Sequence, residues 1–183
     1  MRNSYKGLPM PQTTIISLLM QHFPLGLLLS IKDALIAGAA RAHIAARPML
    51  EGLVASYIGQ QRYHHMNDAF HRALEENGAR PTSLCGSSII TGCVGIFTFT
   101  RLNCSAKADA SARSKRSKTR CLLADANDVI GRLEQPDIFA PSVAPSQATV
   151  FFISVFNNKS FLIIYYFRFF FLKFVNRKSR KYI

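Results

Sequence analysis

Hydrophobic positions fall into two regimes: dense apolar runs at about residues 13–31 and 149–175, and between them a stretch whose polar and apolar residues alternate with recognisable periods. In that middle stretch Leu50, Leu53, Val54, Tyr57 and Ile58 recur at helical spacing, and Met66, Ala69, Phe70 and Ala73 continue the stripe after a polar interval. The pattern predicts a helix from Pro48, whose missing N–H is no loss in a first turn, to Gly78, placed just past its end. An Ala-rich helix is predicted before it, from about Ile31 to Arg47, with Ser30 and Asp33 resembling a capping box. The two should pack as a pair through their Ala-rich and Leu-rich faces.

Beyond Ala79-Arg80-Pro81 the period changes. From Cys93 to Leu102, Val94, Ile96, Thr98 and Thr100 alternate with Phe97 and Phe99, which predicts one weak strand. A strand is not stable alone, so it is expected to pair with a copy of itself or to lack its intended partners. Residues 103–120, "NCSAKADASARSKRSKTR", have almost nothing to bury and read as a disordered basic linker. A short helix follows in "CLLADANDVIGRLEQP", with Leu122, Ala126, Val129, Ile130 and Leu133 on one face and Pro136 as its stop.

The fold class expected is therefore mainly α. It comprises a flexible N-terminus at 1–11, an incomplete helical domain at 12–78, a strand-like segment at 79–102 and a basic linker at 103–120. A short helix with a Pro-rich linker at 121–149 and a Phe/Ile-rich basic tail at 150–183 complete it.

Charge sharpens this division. Of the formal charge of +13, residues 103–120 supply six Lys/Arg against Asp109, and residues 151–183 supply seven with no acid. The basicity belongs to two segments, and it suits either nucleic acid or an anionic membrane surface. Arg113, Lys115, Arg116, Lys118 and Arg120 are the candidate basic contacts for nucleic acid, although no aromatic residue interleaves them to stack on bases.

The strongest metal candidate is the set His64, Asp68, His71 and Glu75, which successive steps of four, three and four place on one helix face. That face is also the polar side of an amphipathic helix, it lacks an H-E-x-x-H pattern, and one helix does not close a tetrahedral shell. Cys85, Cys93, Cys104 and Cys121 are spaced too widely for a C-x-x-C pair. No nucleophile elbow or phosphate loop is present, so neither a cofactor nor a small-molecule ligand is implied and no enzymatic activity is expected.

The two apolar runs decide the functional expectation. The first begins like a secretory signal, with Arg2 and Lys6 ahead of it, yet Gln21, His22 and Pro24 break it, which favours a buried helical hairpin. The second offers a membrane span at Phe161 to Val175, split from the preceding residues by Asn157-Asn158-Lys159 and interrupted by Arg168 and Lys173. Residues 151–183 also contain no Ala, Gly, Pro, Asp or Glu, and 25 of these 33 residues are types that A/T-only codons can encode. That switch points to a truncated or frameshifted product continued into AT-rich sequence. The expectation is a non-enzymatic membrane-associated protein or such a product without independent function. A basic nucleic-acid-binding protein acting through 113–120 and an enzyme fragment lacking its active site are the alternatives.

Overall fold

The computed structural model describes residues 15–84, 89–105, 117–127, 146–157 and 160–168. Pro24 sets the start of the helical part. Its backbone is extended, at φ −64° and ψ 124°, and its carbonyl accepts the Leu27 N–H at 3.0 Å, so α1 (Ile15–His22) ends and α2 (Leu25–Ala46) begins around it. Ser30 and Asp33 consequently lie inside α2, and the expected capping box does not form. A turn at Arg47-Pro48 and a single 3-10 turn at Glu51–Leu53 lead into α3 (Val54–Glu76), which starts six residues later than the Pro48 expectation.

The far end of α3 closes as read. Gly78, at φ +73°, donates its N–H to the Glu75 carbonyl at 3.0 Å, and Ala79 donates to the Leu74 carbonyl at 2.9 Å. This bond pair is a Schellman motif, which needs a residue tolerant of the left-handed conformation.

The remaining elements are β1 (Arg80–Pro81), β2 (Thr91–Val94), β3 (Phe97–Ser105), α4 (Lys118–Asp125), β4 (Ala148–Asn157) and β5 (Ser160–Arg168). They form one five-stranded sheet in the order β1-β2-β3-β4-β5, with only β3 and β4 parallel. Among the described residues the fold is thus a mixture of four α-helices and a sheet, and the mainly α expectation with one weak strand is corrected accordingly. The segment read as a single strand is mostly a hairpin. Val94 pairs with Phe97 across Gly95-Ile96, and the positive φ of +56° at Gly95 alone fits a type II′ turn.

Strand alternation assigns the two sheet faces. Phe97, Phe99, Ala148, Val150 and Phe152 share a core with Leu18, Leu27, Ile31, Leu35, Met66, Phe70 and Leu74 of α1–α3. Leu102, Phe151 and Ile153 point the other way, against Ala124 and Leu123 of α4. α4 starts at Lys118 behind the N-cap Ser117, earlier than read, and it buries Ala124, while of the face expected for this helix Leu122 is exposed and Ala126 half-buried. Val129, Ile130 and Leu133 lie outside the described residues.

Where β5 stops, at the pair Phe151–Arg168, a side chain takes over the edge of β4. Asn127 donates its amide to the Thr149 carbonyl at 2.9 Å and accepts the Thr149 N–H at 2.6 Å. It therefore bonds that residue as a neighbouring strand would.

Candidate functional site

Three surfaces and clusters carry polar chemistry or unusual exposure. The first is the expected metal face of α3. His64 is exposed and sits edge-on to Tyr63 at 5.4 Å. Asp68 pairs with Arg72 at 3.2 Å and with Arg41 of α2 at 3.7 Å, while His71 lies 3.9 Å from Glu75. The Asp68 carboxylate is thereby shared between two guanidinium groups, which a cation would have to displace. Among the described residues, no group of three or more His, Cys, Asp or Glu side chains is placed to hold a metal ion. Cys93 is exposed and Cys121 half-buried, and neither is in a disulfide.

Of the basic contacts, Arg113, Lys115 and Arg116 lie outside the described residues. Lys118 opens α4 and is exposed, and the Arg120 N–H is capped by Ser117 Oγ at 3.5 Å. The two belong to a helix that α4's apolar contacts hold against the sheet.

The second cluster lies between α3 and the sheet and was not singled out in the sequence. Arg101, only 6% exposed, donates to Asn67 Oδ1 at 2.7 Å, Asn103 Oδ1 at 2.7 Å and the Tyr63 carbonyl at 3.0 Å. Burial lowers its pKa to about 10, partly offset by Tyr63 and reinforced by the nearby charge of Arg120. Neutral acceptors hold the guanidinium, so the cluster fixes α3 to β3. Its signal was the strand phase, because Arg101 follows Phe97 and Phe99 onto the inward face.

Close by, Arg62 donates from Nη2 to His43 Nε2 at 2.6 Å and stacks its guanidinium 4.3 Å above the Phe156 ring. Burial lowers the pKa of both partners, and for His43 the Arg62 charge adds to the effect. Nε2 must be unprotonated to accept this bond, which makes the pair a neutral imidazole held by a cation.

The third feature is the outer side of α2. Seven of the nine exposed large apolar side chains among the described residues lie between Met20 and Leu53, so they are concentrated where scattered ones would need no explanation. At about 100° per residue, Leu25, Leu29, Ile36 and Ile44 fall within a sector of about 100° on α2. The buried-hairpin expectation for this run is met only by its inner side, where Leu18, Leu27 and Ile31 are in the core while Met20, Leu25 and Leu29 face outward.

Among the described residues no helix is long and apolar enough to cross a membrane. In the span expected at Phe161 to Val175, residues 161–168 belong to β5, and 169–175 lie outside the described residues. No protein-family model, curated protein or solved structure matches the chain.

Proposed function

We propose that this chain is a non-enzymatic protein associated with a membrane, attached through the α1–α2 region. The supporting observation is the run of exposed Met20, Leu25, Leu29, Ile36 and Ile44 on helices whose other side is already built into the core. Leaving water for an apolar phase favours each such side chain by about 1 to 2 kcal/mol when it is partly buried in the folded protein and completes its burial on docking. Four or five together are enough for reversible attachment, and the charge of +13 adds attraction to an anionic surface.

Co-sedimentation of the full chain with phospholipid vesicles tests this reading. Attachment predicts that the protein pellets with vesicles and stays in the supernatant without them. Protein that remains in the supernatant with every vesicle composition, neutral or anionic, rejects it.

A further inference from the structure

At the end of α3 a side-chain amide stands next to the backbone nitrogen least hindered from attacking it. Of the eight asparagines in the chain, Asn77 alone precedes a glycine. We propose that Asn77-Gly78 is a self-modification site gated by the last turn of α3. While that turn is closed the amide is inert; once it opens, Asn77 converts to isoaspartate, and the product keeps the turn from closing again. The site is independent of membrane attachment.

The reaction needs only water. The Gly78 backbone nitrogen, on losing its proton, attacks Cγ of Asn77. The new C–N bond closes a succinimide ring as the Cγ–Nδ2 bond breaks and ammonia leaves. Water then opens the ring: attack at the side-chain carbonyl leaves aspartate, and attack at the main-chain carbonyl leaves isoaspartate, with the chain rerouted through Cγ. Glycine favours the ring closure because it has no Cβ to crowd its nitrogen.

The fold withholds each part of this chemistry. Asn77 Nδ2 donates to the Ala73 carbonyl at 2.8 Å, which holds the side chain back along the helix. The Gly78 N–H is bonded to the Glu75 carbonyl at 3.0 Å, so the nitrogen that must become the nucleophile keeps its proton. At ψ 16° for Asn77 the Gly78 nitrogen eclipses the residue's own nitrogen, whereas ring closure needs it turned toward Cβ, a rotation of roughly 100° or more about Cα–C. That rotation carries Gly78 and Ala79 out of the turn and breaks the 2.9 Å bond from the Ala79 N–H to the Leu74 carbonyl. Gly78 is exposed and Asn77 half-buried, so water reaches the site without the core opening.

Length and charge then prevent return. Isoaspartate adds a methylene to the main chain in a turn whose bonds depend on residue spacing. Its carboxylate has no proton to donate to the Ala73 carbonyl. It also joins Glu75 and Glu76 at the helix end, where unpaired carbonyls already concentrate negative charge. This turn is the joint between helix and sheet: a Cβ on Gly92 of β2 would lie 2.8 Å from Leu74 Cδ1, and Arg80 of β1 pairs with Cys93. Conversion therefore loosens the hold of α3 on the β1–β2 edge.

The full chain is incubated at neutral pH in buffer, in urea below its unfolding transition and in urea above it. Peptide mass spectrometry follows conversion of amide to acid, and methyltransferase labelling identifies isoaspartate. Conversion at Asn77 should occur in unfolding urea and be slower in buffer by about 10-fold or more, because three hydrogen bonds must open first. Urea below the transition should change the rate little, since opening one turn exposes little surface. Equal rates in buffer and in unfolding urea, no conversion at Asn77 in either, or an undiminished signal in Asn77→Gln overturns the proposal. A rate that climbs through low urea as steeply as global unfolding places the gate in the whole fold and overturns the role of the turn. Converted protein, separated by ion exchange, should exchange its Ala79 amide hydrogen faster than unconverted protein; an unchanged rate rules out the latch.

Discussion

At the scale of single residues, glycines and buried nitrogens carry the sharpest consequences. Gly38 and Gly59 both lie inside helices, yet a Cβ on Gly59 meets nothing within 4 Å while one on Gly38 meets the α3 backbone at 2.8 Å. Gly59→Ala should raise stability by about 0.5 to 1 kcal/mol through helix propensity. Gly38→Ala should lower it by about 1 to 3 kcal/mol, because the backbone on the other side does not yield as a side chain would. Urea unfolding of the two variants beside wild type checks both signs at once.

Arg101→Lys keeps the charge but offers one ammonium where three separate guanidinium N–H contacts are made, so a loss of about 1 to 3 kcal/mol is expected in the same measurement.

His43 gives a pH dependence with a definite sign. Burial and then Arg62 hold its folded pKa below the ordinary 6.5, so the unfolded chain binds this proton more readily. The contribution of His43 is full above pH 6.5 and is lost as pH falls through its lowered folded value. Unfolding midpoints taken from about pH 7.5 down to about pH 5 should therefore drop more steeply for wild type than for His43→Gln. Parallel curves would show that the imidazole is not read by the fold.

At the scale of elements, local chemistry was legible where one element settles its own ends. The stripe through Met66, Ala69, Phe70 and Ala73 and the glycine at 78 identify α3 and its C-terminus without reference to the rest of the molecule. The start of α2 was misread because Ser30 and Asp33 look like a cap, whereas Pro24, six residues earlier, forces the extended turn from which the helix begins.

β4 was hidden for a different reason. Its odd residues Thr149, Phe151 and Ile153 and its even residues Ala148, Val150 and Phe152 are all buried, one set under α4 and the other under α1–α3. A strand covered on both faces shows no alternation and reads as an unbroken apolar run. β4 opens the apolar run at about 149–175, whose later part, Phe161 to Val175, carried the expectation of a membrane span, while the codon-type expectation covered residues 151–183. The Arg101 cluster escaped notice because its partners lie 34 and 38 residues away in the chain, on a helix that sequence alone does not bring to that strand.

For the whole molecule, the main consequence is shared burial. The largest core cluster takes Leu27, Ile31 and Leu35 from α2, Phe70 and Leu74 from α3, Phe97 and Phe99 from β3 and Val150 and Phe152 from β4. No one of these elements closes the core without the others. Thermal unfolding followed by far-ultraviolet dichroism, which weights the helices, and by phenylalanine and tyrosine near-ultraviolet bands should give coincident transitions. Helices that melt separately from the aromatic signal would show that residues 15–76 fold independently of the sheet.

The sheet also has a built-in limit, set by Asn127. Both outward-facing backbone groups of Thr149 are already bonded to that one amide. A polypeptide zipping along β4 from the β5 side thus meets an occupied rung after Phe151, and extending further means evicting a side chain that makes two hydrogen bonds. Asn127 acts as a punctuation mark, ending the line of pairing at a fixed letter and denying incoming strands a longer template to copy.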